Sequence, residues 1–253
     1  MFSMTEAFWI SAILALAGWV HGFTGLGYGI VAMALLALMP HAMGPMAAVV
    51  SVTALIVLIA LLWLSHEHGR VDWKQSALLL VGGLLGTPAG YAFIAVFGDR
   101  PLFRLALAGY LIWIGLAGMR AGQRRRRCSG AAALPMGVFA GFLAGAFVTG
   151  GPPIVIYLYS RTENPLTMKA TIQFIFIVQL LYRIALMVYD PAVRDATLWL
   201  LSALACVPAL AALWAGHQLS RGVSPAVFRR VVNATIAFLG VFVAGKTLWT
   251  SWL

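Results

Sequence analysis

Two short stretches hold most of the residues that could do chemistry: His21-Gly22-Phe23-Thr24-Gly25-Leu26-Gly27-Tyr28-Gly29 and Phe147-Val148-Thr149-Gly150-Gly151-Pro152-Pro153. Each places several helix breakers inside an apolar run. Where a helix breaks, amides and carbonyls lose their intrahelical partners, and the half-helix that follows presents free N–H groups and a partial positive charge. Such a terminus binds an oxyanion without a full ion pair. The half-helix before the break brings its negative C-terminus to the same point, so the pattern alone also allows a cation. The candidate binding residues in these stretches are His21, Gly22, Thr24, Gly25, Gly27 and Tyr28 in the first, and Thr149, Gly150 and Gly151 in the second.

A second set of polar residues follows each stretch within apolar sequence: Ser51 and Thr53, then Thr171, Gln173 and Gln179, and finally Arg183. Ser51, Gln173 and Arg183 join the candidate site. The bland alternative for the neutral ones is a hydrogen bond back to their own helix. An ionisable residue inside a membrane segment is a functional candidate by default, although Arg183 lies near enough to a segment end to snorkel. His21 titrates near neutral pH and would suit proton coupling, or it is a structural hydrogen bonder. An intramembrane enzyme would need a nucleophile and a base; His21, Ser11 and Ser51 exist, but no GxSxG turn accompanies them. His66-Glu67-His68 lacks the HExxH spacing and reads as a solvated loop, and Cys128 and Cys206 form no CxxC pair. No metal, cofactor or nucleotide-binding loop is expected, so an electrochemical gradient would drive any transport.

The elements that must position these residues are membrane helices. Hydrophobic residues make up 62% of the 253 and charged ones 9%, far below the roughly 25% of a soluble domain. Residues 7–64, 75–97, 131–160 and 231–245 contain no Asp, Glu, Lys or Arg, and most of these runs exceed or approach the ~20 apolar residues that cross a bilayer. Eight apolar segments emerge, about 7–39, 44–64, 74–97, 101–119, 131–160, 166–189, 196–217 and 226–249. Met1 to Phe8 lack the basic start of a signal peptide, so the first run is expected to remain in the mature protein. Trp9, Trp63, Trp73, Trp249 and Trp252 fall near segment ends and read as interfacial anchors. The net charge of +10 resides in short loops, which orients a multi-pass protein of the cell inner membrane and argues against a nucleic-acid partner.

The linker carrying Arg120, Arg124, Arg125, Arg126 and Arg127 divides the segments four and four, and reads as cytoplasmic. The expected organisation is an N-terminal membrane repeat at 1–120, the linker at 121–130 and a C-terminal repeat at 131–253. Matches between the halves support duplication: Gly18, Gly22 and Phe23 with Gly137, Gly141 and Phe142 at a spacing of 119, Pro88 with Pro208 at 120, and Phe103-Arg104 with Phe228-Arg229 at 125. Residues 7–39 as one helix would reach about 50 Å, against a core of about 30 Å. Each opening segment is therefore read as two half-helices that enter and leave on one side, with the breaker loop at the tip near the midplane. Hairpins place Arg70, Lys74, the linker arginines, Arg161, Lys169, Arg221, Arg229 and Arg230 inside, leaving Arg100, Arg104, Arg194 and Lys246 outside. Single tilted spans, with glycines serving only close packing, reverse that bias outside the linker. The fold class is thus an all-α integral membrane protein of two inverted-topology repeats, each a broken opening segment plus three transmembrane helices. Gly82, Gly86 and Gly90 recur every fourth residue and are assigned to helix packing.

Two halves that each open with a glycine-rich break, Gly22-Phe23-Thr24-Gly25-Leu26-Gly27 and Gly141-Phe142-Leu143-Ala144-Gly145, around an Arg-bearing linker resemble the sulfite exporter TauE/SafE family. The resemblance spans about residues 8–250. It implies a secondary transporter, without a cofactor, that moves sulfite, a sulfonate or a related organic acid by alternating access. An anion channel and an intramembrane enzyme are the alternatives. The implied partners are a small anionic substrate and the lipid bilayer, with a homodimer possible. Tyr28 interrupts the usual run of glycines in the first loop, and the second reads Gly-Gly-Pro-Pro, which leaves the particular substrate open.

Overall fold

The structure, a computed structural model, describes residues 3–65, 68–120, 128–161, 164–220 and 225–252. Arg124 to Arg127, His66, Glu67 and Arg221 lie outside the described residues, as do the side chains of His68, Arg229, Arg230 and Trp252. Among the described residues the chain forms ten α-helices and no strand: α1 (Met4–Thr24), α2 (Tyr28–Leu36), α3 (Met43–Leu64), α4 (Trp73–Phe97), α5 (Pro101–Arg120), α6 (Ala133–Phe147), α7 (Gly151–Arg161), α8 (Pro165–Val188), α9 (Ala196–Leu219) and α10 (Pro225–Trp252). Eight are long and apolar enough to cross a membrane, α6 together with the short 3-10 turn before it; α2 and α7 are too short. The large apolar side chains left exposed include Trp9, Trp63, Trp73 and Trp249 near helix ends, as interfacial anchors require.

Both opening segments are broken. α1 stops at Thr24, where Gly25 takes φ 75°, and Gly27 at φ 97° starts α2. α6 stops at Phe147, and α7 resumes at Gly151. The start of α1 and the turn after α2 lie together: Glu6 Oε1 is 3.5 Å from His41 Nε2. Arg104 reaches the same turn, donating to the carbonyls of Met39 at 3.3 Å and His41 at 3.1 Å, and Lys246 donates to the carbonyl of Leu38. The chain therefore returns after α2 to the end at which α1 began. The second opening segment does the same, with the Cys128 amide donating to Ser160 Oγ at 3.2 Å and Arg161 donating to the Cys128 carbonyl at 3.1 Å. The two hairpins are unequal, however: α1 has 21 residues before its break and α6 has 15.

Helix packing is reciprocal between the halves: α1 lies along α9 and α6 along α4, while α5 pairs with α10 and α3 with α8. The register differs from the spacing of 119 read between glycines. The C-caps Gly25 and Val148 stand 123 apart, and the starts of α3 and α8, Met43 and Pro165, stand 122 apart. Both values fall within the drift from 119 to 125 read between the halves, and four residues are about one helical turn. Those faces meet at backbone distance. A Cβ on Gly86 would sit 2.0 Å from the Val138 carbonyl oxygen, and one on Gly141 would sit 2.0 Å from that of Gly83, so α4 and α6 interlock through glycines on both sides.

One sequence pattern escaped the expectation of no nucleotide loop. Gly240 to Thr247 spells GxxxxGK[ST], yet the whole stretch lies inside α10, where its amides serve the helix, and Lys246 is engaged with Leu38. A phosphate loop needs those amides free between a strand and a helix, so the match carries no nucleotide site.

Gly86→Leu is expected to cost about 3 kcal/mol or to prevent folding, because the partner is backbone and cannot yield. Gly109→Ala, in open space on α5, should be neutral or stabilise by up to about 1 kcal/mol. Thermal unfolding of the solubilised protein distinguishes the two; equal effects would contradict the interlock.

Candidate functional site

The two breaks touch. A Cβ on Gly29, in the first turn of α2, would meet the Val148 carbonyl oxygen at 2.0 Å and Thr149 Cγ2 at 3.3 Å. Only a glycine at position 29 lets the loops approach this closely. Val148 itself is β-branched at φ 57°, a left-handed conformation that costs an L residue roughly 1–2 kcal/mol. Tertiary contacts hold it: the Tyr110 hydroxyl donates to the Thr149 carbonyl at 2.5 Å, and the Tyr110 ring stacks on Phe147 at 5.5 Å. On the other side Thr24 ties its own break, its hydroxyl donating to the carbonyl of Val20 or Leu26 and accepting from the Leu26 amide at 3.1 Å.

Both breaks face one cavity of about 1120 Å³. Of the residues expected at the site, His21, Thr24, Gly27, Tyr28, Thr149, Gly150 and Gly151 line it. Several buried polar atoms there lack a hydrogen-bond partner: both ring nitrogens of His21, Thr149 Oγ1 and both amide atoms of Gln179. The Tyr28 hydroxyl lies towards Thr53 without a well-formed hydrogen bond, and the Tyr28 ring meets His21 edge-on at 6.3 Å. Unsatisfied buried polar groups each cost about 1–3 kcal/mol, so a cluster of them around a cavity marks a place where something else supplies the partners.

The two helix starts are not equivalent. The first turn of α2, Tyr28, Gly29 and Ile30, lines the cavity, and no side chain caps its amides. α7 begins Gly151-Pro152-Pro153, and proline has no N–H. The second terminus therefore retains little of the anion cradle read from its break, and the unpartnered polar atoms on that side of the cavity belong to Thr149 and Gln179.

Five expected residues lie elsewhere. Gly22 is a packing residue, since a Cβ there would sit 2.1 Å from the Leu213 carbonyl oxygen of α9. Gly25 supplies the left-handed cap of α1, its amide donating to the His21 carbonyl at 2.7 Å. Gln173 is buried with an unpartnered Oε1 but is not a wall of the cavity; Gln179, on the same helix, is. Ser51 donates to the Ala47 carbonyl at 2.6 Å and accepts from Arg183. Arg183 neither snorkels nor faces the cavity. At 1% exposure its Nε donates to the Gly145 carbonyl at 3.0 Å, and its Nη1 reaches Ala47 O at 3.3 Å and Ser51 Oγ. It lies 5.4 Å above the Tyr91 ring, whose hydroxyl donates to Asp190 at 2.6 Å. The guanidinium thus braces the last turn of α6, just before its break, against α3.

Gln179 stood among the polar residues of the sequence but was left out of the candidate site, and Tyr110, Trp113 and Asn233 were not singled out. Asn233 had a signal, a polar residue within the charge-free run of 231–245; Tyr110 had none, because its role depends on a partner 39 residues away.

Residues 10–243 match the family model described as Sulfite exporter TauE/SafE. The chain belongs to this family. A TauE/SafE relative from Cupriavidus necator, named Probable sulfite/organosulfonate exporter TauE, is 23% identical and covers 91% of each chain. The Probable inner membrane transporter protein TsaS of Comamonas testosteroni is 25% identical over 71% of this chain and 75% of its own. No solved structure gives a significant match. For a TauE/SafE protein, eight helices able to span a bilayer and a cavity at two helix breaks are the features a membrane transporter requires.

Gln179→Leu should weaken anion binding about tenfold, the loss of roughly 1.4 kcal/mol. Arg183→Lys should lower heat stability, since an ammonium cannot reproduce the fork, while leaving affinity within about twofold. Binding isotherms and melting curves on the same preparations test both; a tenfold affinity loss in the Arg183 variant would place the guanidinium in the pocket.

Proposed function

We propose that this chain is a secondary transporter, not an enzyme, that carries a small oxyanion such as sulfite or a sulfonate across the cytoplasmic membrane by alternating access. The observation that carries the reading is the meeting of two helix breaks on one cavity lined by unpartnered buried polar groups. The names of the two relatives, an exporter and an inner membrane transporter, point the same way.

In this reading residues 1–120 and 131–253 are inverted repeats joined by a cytoplasmic linker at 121–130. Support comes from the doubling back of both opening segments, from reciprocal packing, and from the count of three long helices after each hairpin. Three crossings reverse the direction of the second half. The Asp72 amide donates to Thr171 Oγ1 at 2.9 Å, so the start of α8 shares its end of the bundle with the α3–α4 connection. Arg70, Lys74, Arg161 and Lys169 cluster at that end, which the positive-inside rule assigns to the cytoplasm.

The cavity extends towards the linker end, where Cys128, Tyr159 and Ser160 form part of its wall. Away from that end Phe93, Phe103, Phe142, Phe147 and Tyr110 pack into one aromatic cluster. The conformation is inward-open. Anion binding to the α2 amides, His21, Tyr28, Thr149 and Gln179 would close it, and separation of the aromatic cluster would open the other side.

Proteoliposomes test the transport. Labelled sulfite or sulfonate should enter saturably and exchange with unlabelled anion inside; flux that rises linearly without saturation would establish a channel instead. The cytoplasmic linker predicts its own result: a thiol reagent should modify Cys128 faster in inside-out than in right-side-out vesicles. Equal rates would contradict it.

A further inference from the structure

The polar atoms left without partners around the cavity are of two kinds. Thr149 Oγ1 and the Gln179 amide nitrogen can donate, which suits an oxyanion. Gln179 Oε1 and one of the two buried nitrogens of a neutral His21 can only accept. An oxyanion brings no hydrogen to an acceptor, and its charge repels the imidazole lone pair. Protonation removes that conflict at His21: the imidazolium donates from both nitrogens and sets a positive charge beside the anion.

The geometry places this base at the anion seat. His21 is 1% exposed, in the last turn of α1, and its ring meets that of Tyr28, the first residue of α2, at 6.3 Å. Both residues line the cavity. The other titratable groups on the helices packed against α1 are Tyr28 on α2 and Cys206 and His217 on α9, while α3 carries none. Lys169 of α8 approaches the break, 4.0 Å from where a Cβ on Gly25 would lie, and Cys128 and Tyr159 belong to the cavity wall. Among these described groups only the histidines ordinarily change charge between about pH 5 and 8. His217 lies in the last turn of α9 and is not a wall of the cavity.

We propose that His21 is a proton-binding site linked to the anion site, and that the anion crosses together with one proton carried on His21. This inference rests on the transport reading and deepens it. Anion and proton then strengthen each other's binding by the same factor. The loaded pair adds no net charge to the occluded protein, which lowers the cost of taking the anion out of water. A pH gradient drives accumulation, and membrane voltage does not.

Methanesulfonate is the probe for the test, because it stays a monoanion across the range and any proton taken up belongs to the protein. With the solubilised wild type in weakly buffered solution, a glass electrode should record proton uptake approaching one per anion bound. The Kd should rise by up to about tenfold per pH unit on the alkaline limb. In proteoliposomes, acid outside should drive uphill accumulation of labelled methanesulfonate, while a potassium diffusion potential leaves the rate unchanged. His21→Gln should bind at every pH with the weak affinity of the alkaline limit, take up no proton and respond to voltage. His21→Asn serves if the first variant does not fold, and the wild-type proton count needs neither. If sulfite is transported but methanesulfonate is not bound, sulfite replaces it with its own protonation subtracted. A wild type whose affinity ignores pH and that takes up no proton overturns the inference and leaves the transport reading standing. Proton uptake that survives in the His21 variants overturns the assignment to His21. Failure of both anions to bind or to be transported overturns the transport reading as well.

Discussion

An interrupted helix inside a bilayer must find partners for its amides and carbonyls in protein, because lipid supplies none. Much of this architecture can be traced to that constraint. The chain breaks two helices and then brings the breaks together, Gly29 against Val148, so that each shelters the other. Glycine interlocks fix the long helices on which the breaks are carried: α6 lies against α4, and α1 against α9, at distances that leave no room for a Cβ. Tyr110 and Arg183 brace the second break from two sides, one holding the Thr149 carbonyl and the other the Gly145 carbonyl. What remains unsatisfied after this bracing, at His21, Thr149 and Gln179, faces the cavity.

The stability of the breaks comes from neighbours rather than from local preference. Val148 sits in a conformation that glycine or asparagine would adopt more readily, and it stays there because the loop is held on both flanks. In the proposed transport cycle, strain of this kind at a cavity wall would let a modest change in contacts shift the balance between conformations. The aromatic cluster beyond the break occupies the path an anion would follow, and Phe147, next to Val148, is part of it. In the proposed cycle, movement of the break would carry Phe147 with it and so disturb the cluster.

Much of this was legible in the sequence. Glycine and proline punctuate apolar runs visibly, so the breaks at Gly25 to Gly27 and before Gly151 could be read, as could the packing role of Gly82, Gly86 and Gly90. What could not be read was which polar residue faces what. Gln173 and Gln179 share a helix and a residue type; their angular difference around the axis matters only once the neighbours are known. Arg183 had the marks of an anion ligand, yet its partners at Ala47 and Gly145 lie far away in sequence, and only the packing of α3, α6 and α8 reveals a brace. The loss of amides at Pro152 and Pro153 was visible in the letters but mattered only when the two termini were compared as donors.

The most direct test locates the anion itself. A structure of the protein solved with a bromine-substituted sulfonate, whose heavy atom is distinguishable from water, would show where the head sits. The sulfonate is expected between the first turn of α2 and Thr149, within hydrogen-bond reach of the Tyr28 or Gly29 amide. A head group bound at Arg183 instead, with the two breaks unoccupied, would contradict it.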